Sequence, residues 1–226
     1  MNLNERFKKF ADNKYESIDD VKDIFFTGKK ADYLVFDRSW ILEVKFLETD
    51  RQIVLNDFIN DLADKDPDFP IFFGTVNVEQ LIKNHKNPDL IRNVLCDRAS
   101  RNLKDILRKA DKQLAETRKV INKDECVGVL VILNKRNDFH DQDFVYQEIS
   151  RLLHKKDEQG NLERKNIKAV WYINEYQKNN KKNTFLNFLI SHKANIDSVK
   201  SLGNFYIWIG LALMDMLLYR QTKIKF

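Results

Sequence analysis

The chain has 226 residues, 43% of them apolar and 32% charged, with only 6 Gly and 3 Pro. This excludes a fibrous or low-complexity protein and leaves room for one sizeable core, at most with a small subdomain. A net charge of +5 suits a polyanionic partner such as nucleic acid, whose phosphates lysine and arginine neutralise, but does not require one.

The opening stretch MNLNERFKKFADNK is polar and charged, with no apolar run of signal-peptide type. Cys96 and Cys126 lack zinc-type spacing and give no disulfide framework, so a reducing cytoplasm is the expected setting. Residues 3–11 and 17–26 read as helices. The second opens at Ser17, with Asp19 and Asp20 at the positive end of its dipole. Phe26-Thr27-Gly28 breaks that pattern, and a hairpin follows. Ala31–Phe36 (ADYLVF) and Trp40–Leu47 (WILEVKFL) are strands rich in β-branched and aromatic residues, joined by a turn at Asp37-Arg38-Ser39.

Residues 51–63 form an amphipathic helix with Ile53, Phe58, Ile59 and Leu62 on its apolar face, and Pro67 and Pro70 prevent its continuation. Ile71–Val76 reads as a strand, and Val78–Leu95 as helix interrupted near Asn87-Pro88. Over 101–121, Leu103, Ile106, Leu107, Ala110, Leu114, Thr117 and Ile121 recur at helical spacing. The continuous apolar run Val127–Leu133 (VGVLVIL) predicts a central strand covered on both faces. A helix over Asp143–Leu153, a turn at DEQGN, a strand over Ile167–Ile173 and a basic loop over Tyr176–Asn183 complete the pattern. Phe205–Tyr219 is shorter than the roughly 20 residues of a membrane-spanning helix and carries Asp215, so it reads as a buried element with no membrane partner. The expected class is α/β, a central mixed sheet flanked by helices, in one domain over residues 1–226.

Chemistry concentrates in the hairpin. Alternation along the second strand puts Trp40, Leu42, Val44 and Phe46 on one face and Ile41, Glu43, Lys45 and Leu47 on the other. Two charges between apolar residues are expensive if buried. A divalent cation would account for them. Mg²⁺ is a hard ion that takes oxygen ligands and favours one or two carboxylates. Glu43 supplies one carboxylate, Asp32 a second if the strands pair, and the Val44 backbone carbonyl is a further ligand. Lys45 then lies where it can orient or help deprotonate a water and offset charge on an attacked phosphate. The bland reading is an ordinary charge pair on a solvated sheet face.

Asp-x10-Glu-x-Lys on a hairpin, preceded by a helix, resembles the PD-(D/E)xK nuclease superfamily, with Ala31 where the family name has proline. The family core runs helix, three strands, helix, strand, and residues 17–133 would trace it, leaving 134–226 as a C-terminal extension. The resemblance implies a restriction-endonuclease-like fold and Mg²⁺-dependent phosphodiester hydrolysis, with Mn²⁺ as substitute. DNA is the expected substrate, with RNA left open, and a homodimer is expected where both strands of a duplex are cut. It also implies a polar residue from the long helix near the metal or phosphate. Gln113 is the choice for this further catalytic role, ahead of Lys109 and Arg118, and Glu16 or Glu5 is a candidate extra metal ligand. The alternative is a non-catalytic nuclease-fold protein acting as a nucleic-acid-binding or protein-interaction module. His85, His140, His154 and His192 show no ligand spacing. Lys178, Lys181 and Lys182 read as solvated, and Tyr172, Phe205, Tyr206 and Trp208 as core rather than base-stacking platforms.

Overall fold

Leu3, Phe7, Phe10 and Ala11 recur at helical spacing and form the buried stripe of α1 (Leu3–Lys14). A capping box starts the helix: the Asn2 side chain accepts the Glu5 N–H at 3.0 Å, and the Glu5 carboxylate accepts the Asn2 N–H at 3.0 Å. The computed structural model describes residues 2–26, 28–47, 52–71, 74, 77–134, 142–178 and 185–191. It departs from the helix expected over 17–26. Glu16–Ser17 forms a short strand, β1, and Ile18–Asp20 a 3-10 turn. Lateral pairing decides this: Ser17 lies opposite Tyr33, and the Ile18 N–H donates to the Asp32 carbonyl at 3.0 Å. The backbone is thereby bound across the sheet and is not available to a helix.

The hairpin forms as expected, with β2 (Tyr33–Val35) antiparallel to β3 (Trp40–Leu47). Its turn is unusual: Phe36, Asp37 and Arg38 all have left-handed backbone, with φ of 51°, 51° and 61°. Such residues are costly, and local bonds offset the cost. The Arg38 guanidinium is gripped by Glu16 and Asp23, and the Ser39 hydroxyl donates to the Phe36 carbonyl at 2.6 Å. From β3 the sheet continues parallel through β4 (Val127–Asn134) and β5 (Ala169–Lys178), then antiparallel to β6 (Phe185–Ser191). The result is a mixed six-stranded sheet in the order β1-β2-β3-β4-β5-β6.

Strand alternation divides the core. One sheet face carries Trp40, Leu42, Val44, Val131, Leu133 and Trp171 against α1. The other carries Ile41, Leu47, Leu130, Ile132, Val170 and Tyr172 against α5 (Arg101–Val120) and α6 (Gln142–Leu153). The expected core limits of 17 and 133 are therefore both corrected. α1 packs into the first face, and β5 buries Trp171 on one face and Tyr172 on the other, because a central parallel strand needs a neighbour on each side and cover on both faces.

Between β3 and α5 the chain builds a small helical cluster from α2 (Gln52–Lys65), α3 (Val78–Asn84) and α4 (Pro88–Ala99), around Leu81, Ile82, Ile91 and Leu95. The apolar face of α2 is corrected at one position. Leu55, Ile59 and Leu62 define the inward stripe by their spacing, so Ile53 falls off it and is 70% exposed. Ile71 is exposed and outside any strand, and the other residues that carried the expected Ile71–Val76 strand, Phe72, Phe73, Thr75 and Val76, lie outside the described residues. β5 extends through Lys178 into the segment expected to be a loop, while Lys181 and Lys182 lie outside the described residues. So do His140, His192 and Phe205–Tyr219. Among the described residues no helix is long and apolar enough to cross a membrane.

β4 passes so close to the lead-in of β5 that only glycine fits at its second position. A Cβ on Gly128 would stand 2.1 Å from the Asn166 carbonyl oxygen. That backbone cannot yield, because Asp111 accepts both the Asn166 N–H (2.8 Å) and its side-chain amide (2.9 Å). Gly128→Ala is expected to cost about 3 kcal/mol or more of stability, read as a lower urea-unfolding midpoint. An unchanged midpoint would contradict this packing.

Candidate active site

Pleating puts Glu43 and Lys45 on the α5-facing side of β3. Glu43 is fully buried, and both of its carboxylate oxygens are sealed from solvent and accept no hydrogen bond of ordinary geometry. The Lys45 ammonium is in ion-pair contact with one of them. Lys45 also donates to Gln113 Oε1 at 2.9 Å, and Gln113 Nε2 donates to the Lys30 carbonyl at 2.8 Å. Both ends of that amide are therefore used, which fixes its orientation. The inward stripe of α5 (Leu103, Leu107, Ala110, Leu114, Thr117) sets Gln113 beside the strand. One turn further along, Thr117 Oγ1 accepts the Ala31 N–H at 2.8 Å. α5 thus holds the chain on the approach to Asp32 at two points.

Asp32 stands where β2 begins. Its N–H donates to the Leu42 carbonyl at 3.0 Å, and its carboxylate Oδ2 accepts the Val44 N–H at 2.6 Å. The side chain thereby replaces the next rung of a ladder that stops at Tyr33. The N–H and C=O of one strand residue face the same edge, so the Val44 carbonyl also faces the side of Asp32. The bond to Val44 brings the Asp32 carboxyl beside Glu43, the preceding residue of β3. Glu43 forms the sealed floor of the site. Asp32 is exposed on its outer side, and the Lys45 side chain, 25% exposed, forms the rim.

The electrostatics follow from this crowding. Burial first, then the charge of Asp32, pushes the Glu43 carboxyl up to about 8, with Lys45 opposing. The Asp32 carboxyl is also raised, by burial of its inner side, against the pull of the Val44 N–H and Lys45. Two adjacent carboxyls in a poorly solvated place do not both ionise readily without a compensating cation.

Of the other expected residues, Glu16 is on β1 but points to the turn end of the hairpin, where a hydrogen bond from Arg38 holds its carboxyl below the usual range. Glu5 caps α1 in the opposite layer. Neither joins the site, because each already serves a local structural bond. Arg118 is a clamp rather than a site residue, donating to the Asn166 side chain at 2.8 Å and the Cys126 carbonyl at 2.9 Å. Lys109 is exposed on α5. His85 bonds Asp66 and the Asn87 N–H, and His154 bonds the Ser150 carbonyl.

Two residues at the site were not singled out for it from sequence. The Lys30 ammonium pairs with Asp19 at 2.8 Å, and the Asp19 charge helps raise the Asp32 carboxyl. Reading Asp19 as a helix start hid this. The aromatic and β-branched residues of Tyr15–Ile18 were the available signal for a strand. Among the described residues no three or more His, Cys, Asp or Glu side chains gather as a metal cluster. The oxygen donors here are two carboxylates and one backbone carbonyl. In comparisons with known proteins, the chain matches no family model, no curated protein and no solved structure.

Without a divalent cation, Glu43 keeps its proton up to about 8 in the folded state, against an ordinary 4.5. Between those values the folded state binds more protons than the unfolded one. The Glu43 contribution to stability is therefore full at acid pH and is lost as pH rises through that window. In thermal melts with chelator, Tm is expected to fall from about pH 5 to about pH 9, and Glu43→Gln to flatten that fall. Parallel profiles for the two proteins would show that Glu43 is not the titrating group.

Proposed function

We propose that this chain is a metal-dependent nuclease of the PD-(D/E)xK type, with a restriction-endonuclease-like core, that hydrolyses phosphodiester bonds in DNA. The observation that carries the reading is the fully buried Glu43 carboxyl, whose oxygens accept no ordinary hydrogen bond, with Lys45 against it and the Asp32 carboxyl held on the adjacent Val44 N–H. A purely structural role accounts for Asp32, which caps the Val44 N–H. It does not account for Glu43, where an apolar side chain would be cheaper. The succession α1, β1, β2, β3, α5, β4, with the helical cluster inserted before α5, supports the same reading, since it runs helix, three strands, helix, strand.

The residues present suit Mg²⁺. The donors are all oxygen: the Glu43 carboxylate, the Asp32 oxygen not spent on Val44, and the Val44 carbonyl. Two carboxylates with room for substrate oxygens is the preference of that ion, and Mn²⁺ accepts the same set. When bound, such a cation supplies Lewis-acid polarisation of the phosphate and acidifies a water. The chain does the remainder. Glu43 and Asp32 would hold the cation from floor and rim. Lys45, braced by Gln113, presents its ammonium at the opening, where it donates to the attacking water or to a phosphate oxygen and offsets the developing charge. Gln113 is a positioning residue for Lys45. Each chain offers one such site, so cutting both strands of a duplex calls for a homodimer. The two free cysteines fit a reducing, cytoplasmic setting.

Plasmid, linear DNA and RNA incubated with Mg²⁺, Mn²⁺ or chelator test this directly. Cleavage of DNA is expected only with a cation. Asp32→Asn, Glu43→Gln and Lys45→Ala are each expected to reduce it by about a hundredfold or more, and Gln113→Ala by about tenfold. Cleavage that survives in both Glu43→Gln and Lys45→Ala would remove the site. No cleavage with any cation would leave a nucleic-acid-binding or protein-interaction module on this scaffold. Cation binding is separately readable by calorimetry in two buffers of different ionisation heat. Proton release is expected below about 8, the value to which Glu43 is raised, with binding weakening toward acid pH. Binding of equal strength in Glu43→Gln would contradict the ligand assignment.

A further inference from the structure

We propose that a nucleic-acid strand crosses this site over a cationic ledge formed by Lys29 and Lys109, so that the substrate is a polymer gripped by the phosphates on either side of the one attacked. The inference rests on the nuclease reading and deepens it by naming side chains that hold the phosphates beside the one attacked.

The ledge is assembled by α5 and the segment that leads into Asp32. Gln113 Nε2 holds the Lys30 carbonyl at 2.8 Å, and a Cβ built on Gly28 would lie 3.5 Å from Glu116 Oε2. Residues 28–30 therefore run alongside the 113–116 stretch of the helix. Lys29 is exposed on this segment, next to the residue that Gln113 binds. Lys109 is exposed one turn before Gln113 on the same helix face, about 6 Å along the axis. At the 3.4 Å rise of one duplex strand, that is about two nucleotide steps. Gln113 itself touches Lys45, and along the axis of α5 Lys109 comes before Gln113 while the segment carrying Lys29 runs beside 113–116.

The neighbouring cations are already engaged: Lys30 with Asp19, Lys112 with Glu116, Arg108 with Asp105 and Lys104 with Asp97. Lys29 and Lys109 belong to no ion pair among the described residues. The floor of the site addresses a single phosphate and needs neither of them. Two cations with no ion-pair partner among the described residues, outside the reacting centre, fit a backbone that continues past it.

The test is a salt titration of binding, done with Glu43→Gln protein so that cleavage does not intrude. Fluorescein-labelled single strands of about 20 nucleotides and duplexes of about 20 base pairs, long enough for several phosphate contacts, are followed by anisotropy. Adding Lys29→Ala and Lys109→Ala together is expected to lower the slope of log K against log salt. The decrease is about 1.4 for single strands or about 1.8 for duplex, at 0.7 and 0.9 per phosphate lost. Lys119→Ala, an exposed lysine near the far end of the same helix, is the control and should leave the slope in place. The proposal falls if the double variant keeps the slope, if Lys119→Ala lowers it equally, or if the parent binds neither nucleic acid. The two readings fail separately. A slope lost in the double variant of a protein that never cleaves keeps the ledge and removes the hydrolase, whereas cleavage with an unaltered slope does the reverse.

Discussion

A fully buried carboxylate with Lys45 as its ion-pair partner governs this structure. Glu43 lies one residue past the last β2–β3 pair, opposite Leu130 of β4, with no exposure to water. Burying such a group costs several kcal/mol unless its charge is matched or its proton kept. The surroundings do both in part. Lys45 contacts it, Asp32 stands next to it, and the crowding raises its affinity for a proton. Whatever ligand the site takes, the cost of that burial is where its affinity would originate.

The shortness of β2 makes the arrangement possible. β2 offers β3 only three partners, Tyr33, Leu34 and Val35. A longer strand would pair the Val44 edge with backbone and close it. Instead the Asp32 side chain supplies the missing acceptor, which brings a second carboxylate to the edge and leaves that edge open to solvent. One residue thereby completes the sheet and forms the rim of the site.

α5 connects packing to chemistry. Its apolar stripe seals one sheet face, and the same stripe carries Thr117 while Gln113 lies beside it. Those two polar residues fix the Lys30–Ala31 backbone and the Lys45 ammonium. Also on α5, Asp111 and Arg118 hold Asn166 and so place the start of β5 against Gly128. Displacing this helix would disturb the site and the parallel sheet together, which is why a substitution on α5 is best judged by stability and chemistry side by side.

The hairpin, the long helix, the central apolar strand and the face on which Glu43 and Lys45 lie were all legible in the sequence. Each is a local periodicity: two residues per strand repeat, 3.6 per helical turn. The segment 17–26 was misread because its fate depends on Tyr33 and Asp32, which pair with Ser17 and Ile18 from more than a dozen residues away. The limits of the core were misjudged for a related reason, since only strand pairing shows that β5 and β6 complete the sheet. Asp32, Glu43 and Lys45 could be named from residue type and spacing, and Gln113 from the family resemblance, but their meeting could not. Gln113 lies 68 residues beyond Lys45, and no periodicity spans that distance. Only the docking of α5 on β3 brings the amide to the ammonium, and only the end of β2 turns the Asp32 carboxylate toward Val44.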